Sequence, residues 1–421
     1  MKNIFFAVFA LFSFVSAAQT KSIQLVLENK SGQQINDYVA EIPASTLKKM
    51  IIGEYIALSG NEIVPIEIVT DLKGNQKGIF PVASFKPHEI KKIEIKRGIA
   101  PQYPKRTYAE LSHRIGGNPQ NLRYDKKDTI YTWVKPNYMK LPGNFRDHAF
   151  YIKYEGAGWE SDMVAFRFYL DQRNGFDVFG KNTPGIVLPQ VGIDGYDNYH
   201  NPAVSHWGVD QMSVGNSLGI GAMAYWDGKK AIRVEERDSL ECFVQADGKI
   251  RSQIMTTYFG WNVNNTKYNL KSLISIDAGS RATHIELQVD KNIPNLATGI
   301  IKKANTDLFV KNEKNDEWSY IATWGKQSHE DKKYQQVSNM MGLAVFARTK
   351  QIKEITSDNL NHLIVFEPEN GYVEYYFMPV WEFDWQAVAT KADFQRCIDE
   401  VLTKLNNLIV TSYKLRVTRN S

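Results

Sequence analysis

Only two cysteines occur in 421 residues, so this chain is not held together by a disulfide framework. Cys242 and Cys397 lie far apart, in contexts that match no zinc or redox spacing, and two reduced, buried thiols are the expected state. Long hydrophobic runs are also scarce. Beyond the first residues, no stretch reaches the roughly 20 apolar residues of a spanning helix. Charge of one sign is lacking as well: the formal net charge is only +5, with no basic run of the kind that binds nucleic acid. A mild positive excess leaves room for a small anionic substrate. Repeats, low-complexity tracts and long linkers are absent, which argues against solenoids and disordered tails.

The start of the chain reads as an export signal. Lys2 precedes an apolar run from Ile4 to Val15, and Ser16-Ala17-Ala18 supplies the small residues of a cleavage point before Gln19. The expectation is a signal peptide over 1–18 and a periplasmic or secreted mature protein. No cysteine lies near that point, so no membrane anchor is expected.

Strand patterns dominate the rest of the chain. Ser22 to Glu28, Ile63 to Val69 and Lys91 to Lys96 alternate or run apolar between turn signals such as Asn29-Lys30-Ser31-Gly32, and predict a small β-sandwich module over 19–104. A larger unit, 105–421, contains candidate strands at Val164–Leu170, Ala231–Glu235, Ile250–Phe259, Leu270–Ile276, Thr283–Val289, Trp318–Trp324, Leu343–Arg348, Leu363–Phe366 and Tyr372–Pro379. Long antiparallel strands with few helices favour stacked sheets. The predicted class is therefore all-β: a large antiparallel β-sandwich, specifically a mutarotase-like super-sandwich, with a C-terminal helix. That helix is read from Phe394, Ile398, Val401, Leu402, Leu405 and Ile409, which recur at three- and four-residue spacing.

The densest chemistry lies between Tyr151 and Gly228. Tyr154-Glu155-Gly156-Ala157-Gly158-Trp159-Glu160-Ser161-Asp162 opens it, Arg167, Asp171 and Lys181 come next, and Tyr199-His200 and Ser205-His206-Trp207-Gly208-Val209-Asp210 close it. Flat rings suit sugar faces, while imidazoles and carboxylates move protons, so the combination suggests a carbohydrate site. Alternation places Arg167, Tyr169 and Asp171 on one face of a strand and Val164, Phe166, Phe168 and Leu170 on the other. A second strand shows His284, Glu286 and Gln288 on one face. Either face could line a cleft, or simply meet solvent.

This region resembles a bacterial family, domain of unknown function 4861. The resemblance rests on Tyr154 to Asp162, Arg167-Phe168-Tyr169-Leu170-Asp171, Asp177-Val178-Phe179-Gly180-Lys181, His206-Trp207-Gly208-Val209-Asp210 and Ser217-Leu218-Gly219-Ile220-Gly221. It spans most of the chain. It implies a setting among enzymes that dismantle acidic polysaccharides and, more narrowly, the activity of an ulvan-oligosaccharide dehydratase. Such an enzyme removes water from a terminal uronate linked to sulfated rhamnose, leaving a 4,5-unsaturated uronate. The implied partner is an anionic oligosaccharide, with no cofactor.

That elimination needs a cation or donor on the carboxylate, a base for the C5 proton and an acid for the departing C4 hydroxyl. Four residues are candidates for catalysis. His206 is the first choice for proton transfer because imidazole titrates nearest neutral pH. Tyr199 is a second proton group, Arg167 the carboxylate clamp, and His284, with Glu286, an alternative acid–base pair. Trp159, Glu160, Lys181, His200, Trp207, Asp210, Tyr258, Trp261 and Glu286 are candidates for substrate contact. Each also has a plain structural reading, as a core aromatic, a loop residue or a salt-bridge partner.

Other motifs are weaker. Gly215-x-x-x-Gly219-x-Gly221 lacks the Lys-Ser/Thr of a phosphate loop. Gly215-Asn216-Ser217-Leu218-Gly219 matches a nucleophile elbow without the α/β alternation that motif requires. Asp194-Gly195-Tyr196-Asp197-Asn198 reads as a solvated turn rather than a calcium loop, and no metal site is expected. The competing readings are a polysaccharide lyase, a glycoside hydrolase using Glu160 with Asp210, and a glycan-binding protein without catalysis.

Overall fold

The computed structural model describes residues 19–42, 44–47, 54–117, 131–146, 149–193 and 198–419. The expected signal segment and residues 194–197 of the acidic turn lie outside them. Nine antiparallel strands form the largest sheet, in the order Tyr138–Pro142, Ser239–Asp247, Arg251–Val263, Thr266–Asp277, Thr283–Val289, Tyr372–Trp381, Met340–Arg348, Trp318–Lys326 and Thr306–Lys311. Facing it are two five-stranded sheets. One runs Gly208–Asp210, Phe176–Lys181, Ala165–Tyr169, Gly156–Ser161, Thr107–Glu110; the other runs Ala231–Arg233, Ala224–Trp226, Leu296–Ile301, Asn361–Phe366, Ile352–Ser357. Isolated bridges at Phe176–Gly219 and Ile220–Ile300 join these two into one layer.

The alternation read from sequence decides how the layers meet. Phe166, Phe168 and Phe176 from one layer enclose a single core with Ile285, Leu287 and Phe377 from the other. Phe166 meets Phe377 edge to face, ring centroids 5.4 Å apart. Burying a large apolar side chain is worth about 1.5–3 kcal/mol, so these inward faces hold the sandwich together. The antiparallel super-sandwich expected from the strand pattern is the architecture that forms.

Two smaller sheets flank one end. The strands Gln19–Asn29, Ile90–Arg97, Tyr55–Ser59 and Glu62–Pro65 pack over Ile35–Ile42, Gln76–Phe85 and Glu67–Thr70, around Leu25, Phe80, Phe85 and Ile95. The run Ile63 to Val69 splits after Pro65, and its halves join different sheets. Proline has no N–H for a continuous ladder. The end of the chain also belongs here, not to the large unit in which sequence placed it: Leu408–Arg419 pairs with Gln19–Asn29 along its whole length, from Asn29–Leu408 to Gln19–Arg419. The helix accordingly runs Lys391–Asn407 and excludes Ile409. A β-branched stretch such as Leu408-Ile409-Val410-Thr411 prefers a pleated ladder, and the first strand offers an edge that needs covering.

Thr390 and Asp393 form a capping box that starts the helix, and Phe394, Ile398 and Leu402 dock on the outer face of the nine-stranded sheet. Cys242 is buried and Cys397 half-buried, both as free thiols. Among the described residues no helix is long and apolar enough to cross a membrane.

Candidate functional site

The outer face of the first five-stranded sheet carries a buried polar cluster. Antiparallel pairing sets Arg167 opposite Asp177, and the next strand brings Asp210 alongside. Arg167 Nε and Nη2 donate to Asp177 Oδ2 at 3.0 and 2.7 Å, and Nη2 donates to Asp210 Oδ2 at 2.6 Å. Nη1 donates to the Tyr199 hydroxyl at 3.1 Å and lies 3.8 Å from Glu155. The Tyr169 hydroxyl donates to Asp177 at 2.7 Å. Arg173 lies over the Tyr169 ring, 3.8 Å from its centroid, and pairs with Asp171 and Glu155.

Burial sets the electrostatics. It would discharge Arg167, but the Asp210 and Asp177 carboxylates hold that guanidinium firmly cationic. Burial, then repulsion from Asp210, pushes Asp177 up to about 6 against the pull of Arg167. Burial also raises Asp210 and the phenols of Tyr169 and Tyr199.

The strand leading into this cluster is built for close approach. Tyr154 and Glu155 both adopt left-handed backbone, φ 39° and 68°, a conformation that costs a residue other than glycine roughly 1–2 kcal/mol. The turn is held by the Tyr154 hydroxyl, which donates to Glu110 at 2.7 Å. A side chain at Gly158 would overlap that hydroxyl, and one at Gly156 would overlap the Phe168 carbonyl. The glycines of the Glu-Gly-Ala-Gly-Trp motif are therefore required by packing.

A loop closes over the cluster. Glu160 accepts from Lys181 at 3.1 Å and from the backbone N–H of Leu188 at 2.7 Å, while Lys181 donates to the Ser161 and Gly185 carbonyls. Phe179 packs edge-on against Tyr199 and Trp207, with centroids 5.7 and 5.8 Å away. At the rim, His200 Nδ1 lies 3.2 Å from Asp210 Oδ2, and the His200 and His329 rings are 6.1 Å apart. The His329 backbone N–H donates to the Gln211 carbonyl, which ties its loop to the strand carrying Asp210.

Burial first, and then the Arg167 charge, lower His200 to about 4, with Asp177 and Glu155 pulling weakly the other way. The ring is neutral at pH 7. A depressed folded-state value means this group's stability contribution is complete above its unfolded value of about 6.5 and is lost as pH falls through about 4. NMR titration of labelled histidines should show His200 unchanged from pH 8 to about 5, with its midpoint near 4; a midpoint at the ordinary imidazole value would contradict this environment.

The structure redistributes the residues expected from sequence. Arg167, Tyr199, His200 and Asp210 come together. Arg167 is only 3% exposed and bonded to two carboxylates, so it offers no open fork to a substrate carboxylate. His206 is exposed, and no described hydrogen bond of the cluster reaches it. Trp159 faces the core, stacked on Phe166 and bonded to Thr283, and Tyr258 and Trp261 are also core residues, fully buried. None of the three can serve as a sugar platform. Trp207 packs beneath the loop. Glu160 and Lys181 form a fully buried pair that pins the loop, which removes both from substrate contact. Asp171 leaves the Arg167 face because the strand ends at Tyr169; it sits in the turn after it, bonded to Arg173. His284 and Glu286 line a different cleft, on the other side of the core.

Asp177, Glu155 and His329 join this cluster without a site role having been read from sequence, whereas Tyr169 shares the Arg167 face as alternation places it. Asp177 had a usable signal, since it stands on the strand next to Arg167 and directly opposite it. His329 had none, because a loop from a distant part of the chain delivers it. Among the described residues no group of three or more His, Cys, Asp or Glu side chains is arranged to hold a metal ion.

Fold and cluster together define an all-β antiparallel sandwich with an arginine–aspartate–tyrosine–histidine cluster on the outer face of its smaller layer. The chain belongs to the family described as Domain of unknown function (DUF4861), whose model matches residues 27–410. It is similar to "Uncharacterized protein P7" of Formosa agariphila, 25% identical over 285 residues, covering 60% of this chain and 66% of that protein. Among solved structures it is similar to a glycosyl hydrolase family 38 protein from Enterococcus faecalis, with a TM-score of 0.44 and 9% identity over 96% of this chain and 48% of that one. An alpha-mannosidase from Enterococcus faecalis V583 gives a TM-score of 0.44 and 8% identity over 95% of this chain and 46% of that one.

Proposed function

We propose that the chain is a carbohydrate dehydratase acting on the non-reducing-end uronate of ulvan oligosaccharides, with His200 as the base. The observation that carries this is the state of His200: a partly exposed imidazole, 24% accessible, at the rim of a buried charged cluster that keeps it neutral. A neutral imidazole can accept the C5 proton, and the Arg167 charge behind it opposes its premature protonation. Tyr199, buried with its ring centroid 4.4 Å from His200 and its oxygen held by Arg167, positions that imidazole, which returns the proton to the departing C4 hydroxyl so that it leaves as water. His329 faces the same rim and is the donor for the substrate carboxylate. The family resemblance supplies the substrate class, and the exported location rests on the N-terminal segment.

A glycoside hydrolase using Glu160 with Asp210 is disfavoured, because Glu160 is held by Lys181 and two backbone amides out of solvent. Mass spectrometry of uronate-terminated oligosaccharides after incubation with the protein tests the proposal. Loss of one water is the expected result. Chain cleavage would make the protein a lyase or hydrolase, and binding without chemical change would make it a glycan-binding protein.

A further inference from the structure

We propose that a second cleft, on the opposite side of the core from Arg167, binds a neutral sugar unit. The inference goes beyond the dehydratase reading and does not depend on it. The cleft, about 550 Å³, opens between the strand Ile35–Ile42, the outer face of the nine-stranded sheet and the C-terminal helix. That volume lies within the range of about 300–1,000 Å³ typical of small-ligand sites, which favour junctions between units.

Its walls are polar and held in place. His284 and Glu286 alternate outward while Ile285 and Leu287 turn into the core. His284 stacks on Tyr376, centroids 4.2 Å apart and nearly parallel, and its Nε2 lies 3.3 Å from Glu374. Glu374 also accepts from Arg348 Nε at 2.6 Å, and the Tyr372 hydroxyl donates to Glu286 at 3.1 Å. Arg251 bonds Asp277 and Glu41. These carboxylates retain acceptor lone pairs beyond the bonds they make.

Accessible polar side chains mark this cleft as open to a ligand. His284, Glu374 and Arg348 remain 23%, 19% and 26% accessible at the side chain, so their polar groups face open space. Trp318 lines the cleft beneath Arg348, whose guanidinium carbon lies 4.2 Å from the ring centroid. Sugar hydroxyls both donate and accept, which suits alternating carboxylates and guanidinium groups beside tyrosine rings. A neutral ligand fits because Arg251, Arg281 and Arg348 are already paired with carboxylates, and it leaves each of those pairs intact.

Saturation-transfer NMR on the full chain, with glucose, galactose, mannose, xylose and rhamnose as probes and glucuronate for comparison, tests the site. Transfer to at least one neutral sugar is expected. Tyr372→Phe, which removes the hydroxyl that holds Glu286, and Glu374→Gln, which removes a charged acceptor, should each weaken it by about tenfold. Water loss from uronate oligosaccharides should persist in both variants, so failure here is distinguishable from failure of the dehydratase reading. Transfer to no neutral sugar, transfer to glucuronate alone, or binding unchanged in both variants would overturn the proposal. Loss of the signal in His200→Ala would also overturn it, by assigning the binding to the first cluster.

Discussion

His200→Ala is expected to lower the rate of water loss from a uronate-terminated oligosaccharide by roughly 100- to 10,000-fold, the usual cost of removing a general base. The side chain sits at the rim, with Nδ1 beside Asp210, and contributes little apolar burial, so thermal unfolding near neutral pH should stay close to wild type. The rise in ultraviolet absorbance from the new conjugated double bond measures the rate. His206→Ala, one short loop away, should keep most of its activity because that imidazole is exposed and outside the cluster. If His206→Ala is inactive and His200→Ala active, the assignment of the proton carrier is reversed. If both are active, it passes to His329, whose side chain is 22% accessible at the same rim.

Arg167→Met should act on stability rather than on substrate affinity. Removing the guanidinium strands Asp177 and Asp210 without their shared cation, in a place where burial already pushes Asp177 up to about 6. Breaking a buried ion pair by deleting one partner typically costs about 3–5 kcal/mol. Urea unfolding should therefore show a large drop in midpoint. Arg167→Lys should be intermediate: it keeps the charge but cannot reach Asp177, Asp210 and Tyr199 with one planar fork. Adding Asp177→Asn and Asp210→Asn to Arg167→Met should recover part of the loss, since the unpaired charges are then gone; groups that share one network do not contribute additively. An Arg167→Met protein of unchanged midpoint but with a raised Michaelis constant would restore Arg167 as an open substrate clamp.

The contrast between Trp159 and Glu160 separates local from tertiary information. They are consecutive in a strand, so they must face opposite sides, and only one of them could have met a substrate. Pairing sent Trp159 into the core beside Phe166 and turned Glu160 outward, under the loop that Lys181 helps to pin. Aromatic density in the Tyr151 to Gly228 segment thus measured core packing as well as chemistry. Asp171 fails for a related reason: alternation holds only while the strand lasts, and the strand ends at Tyr169.

The sequence by itself determined the all-β class, the long antiparallel strands, the inward set Phe166 and Phe168, the outward set Arg167 and Tyr169, and the amphipathic start of the C-terminal helix. Each rests on side-chain period and local propensity, which act over a few residues. Only the tertiary structure decided that Arg167 meets Asp177 and Asp210, that His329 arrives beside His200, and that Leu408–Arg419 returns to pair with the first strand. Those outcomes depend on strand register and on which edges remain open. They are set by burial summed over the whole core, and no local window of the chain contains that sum.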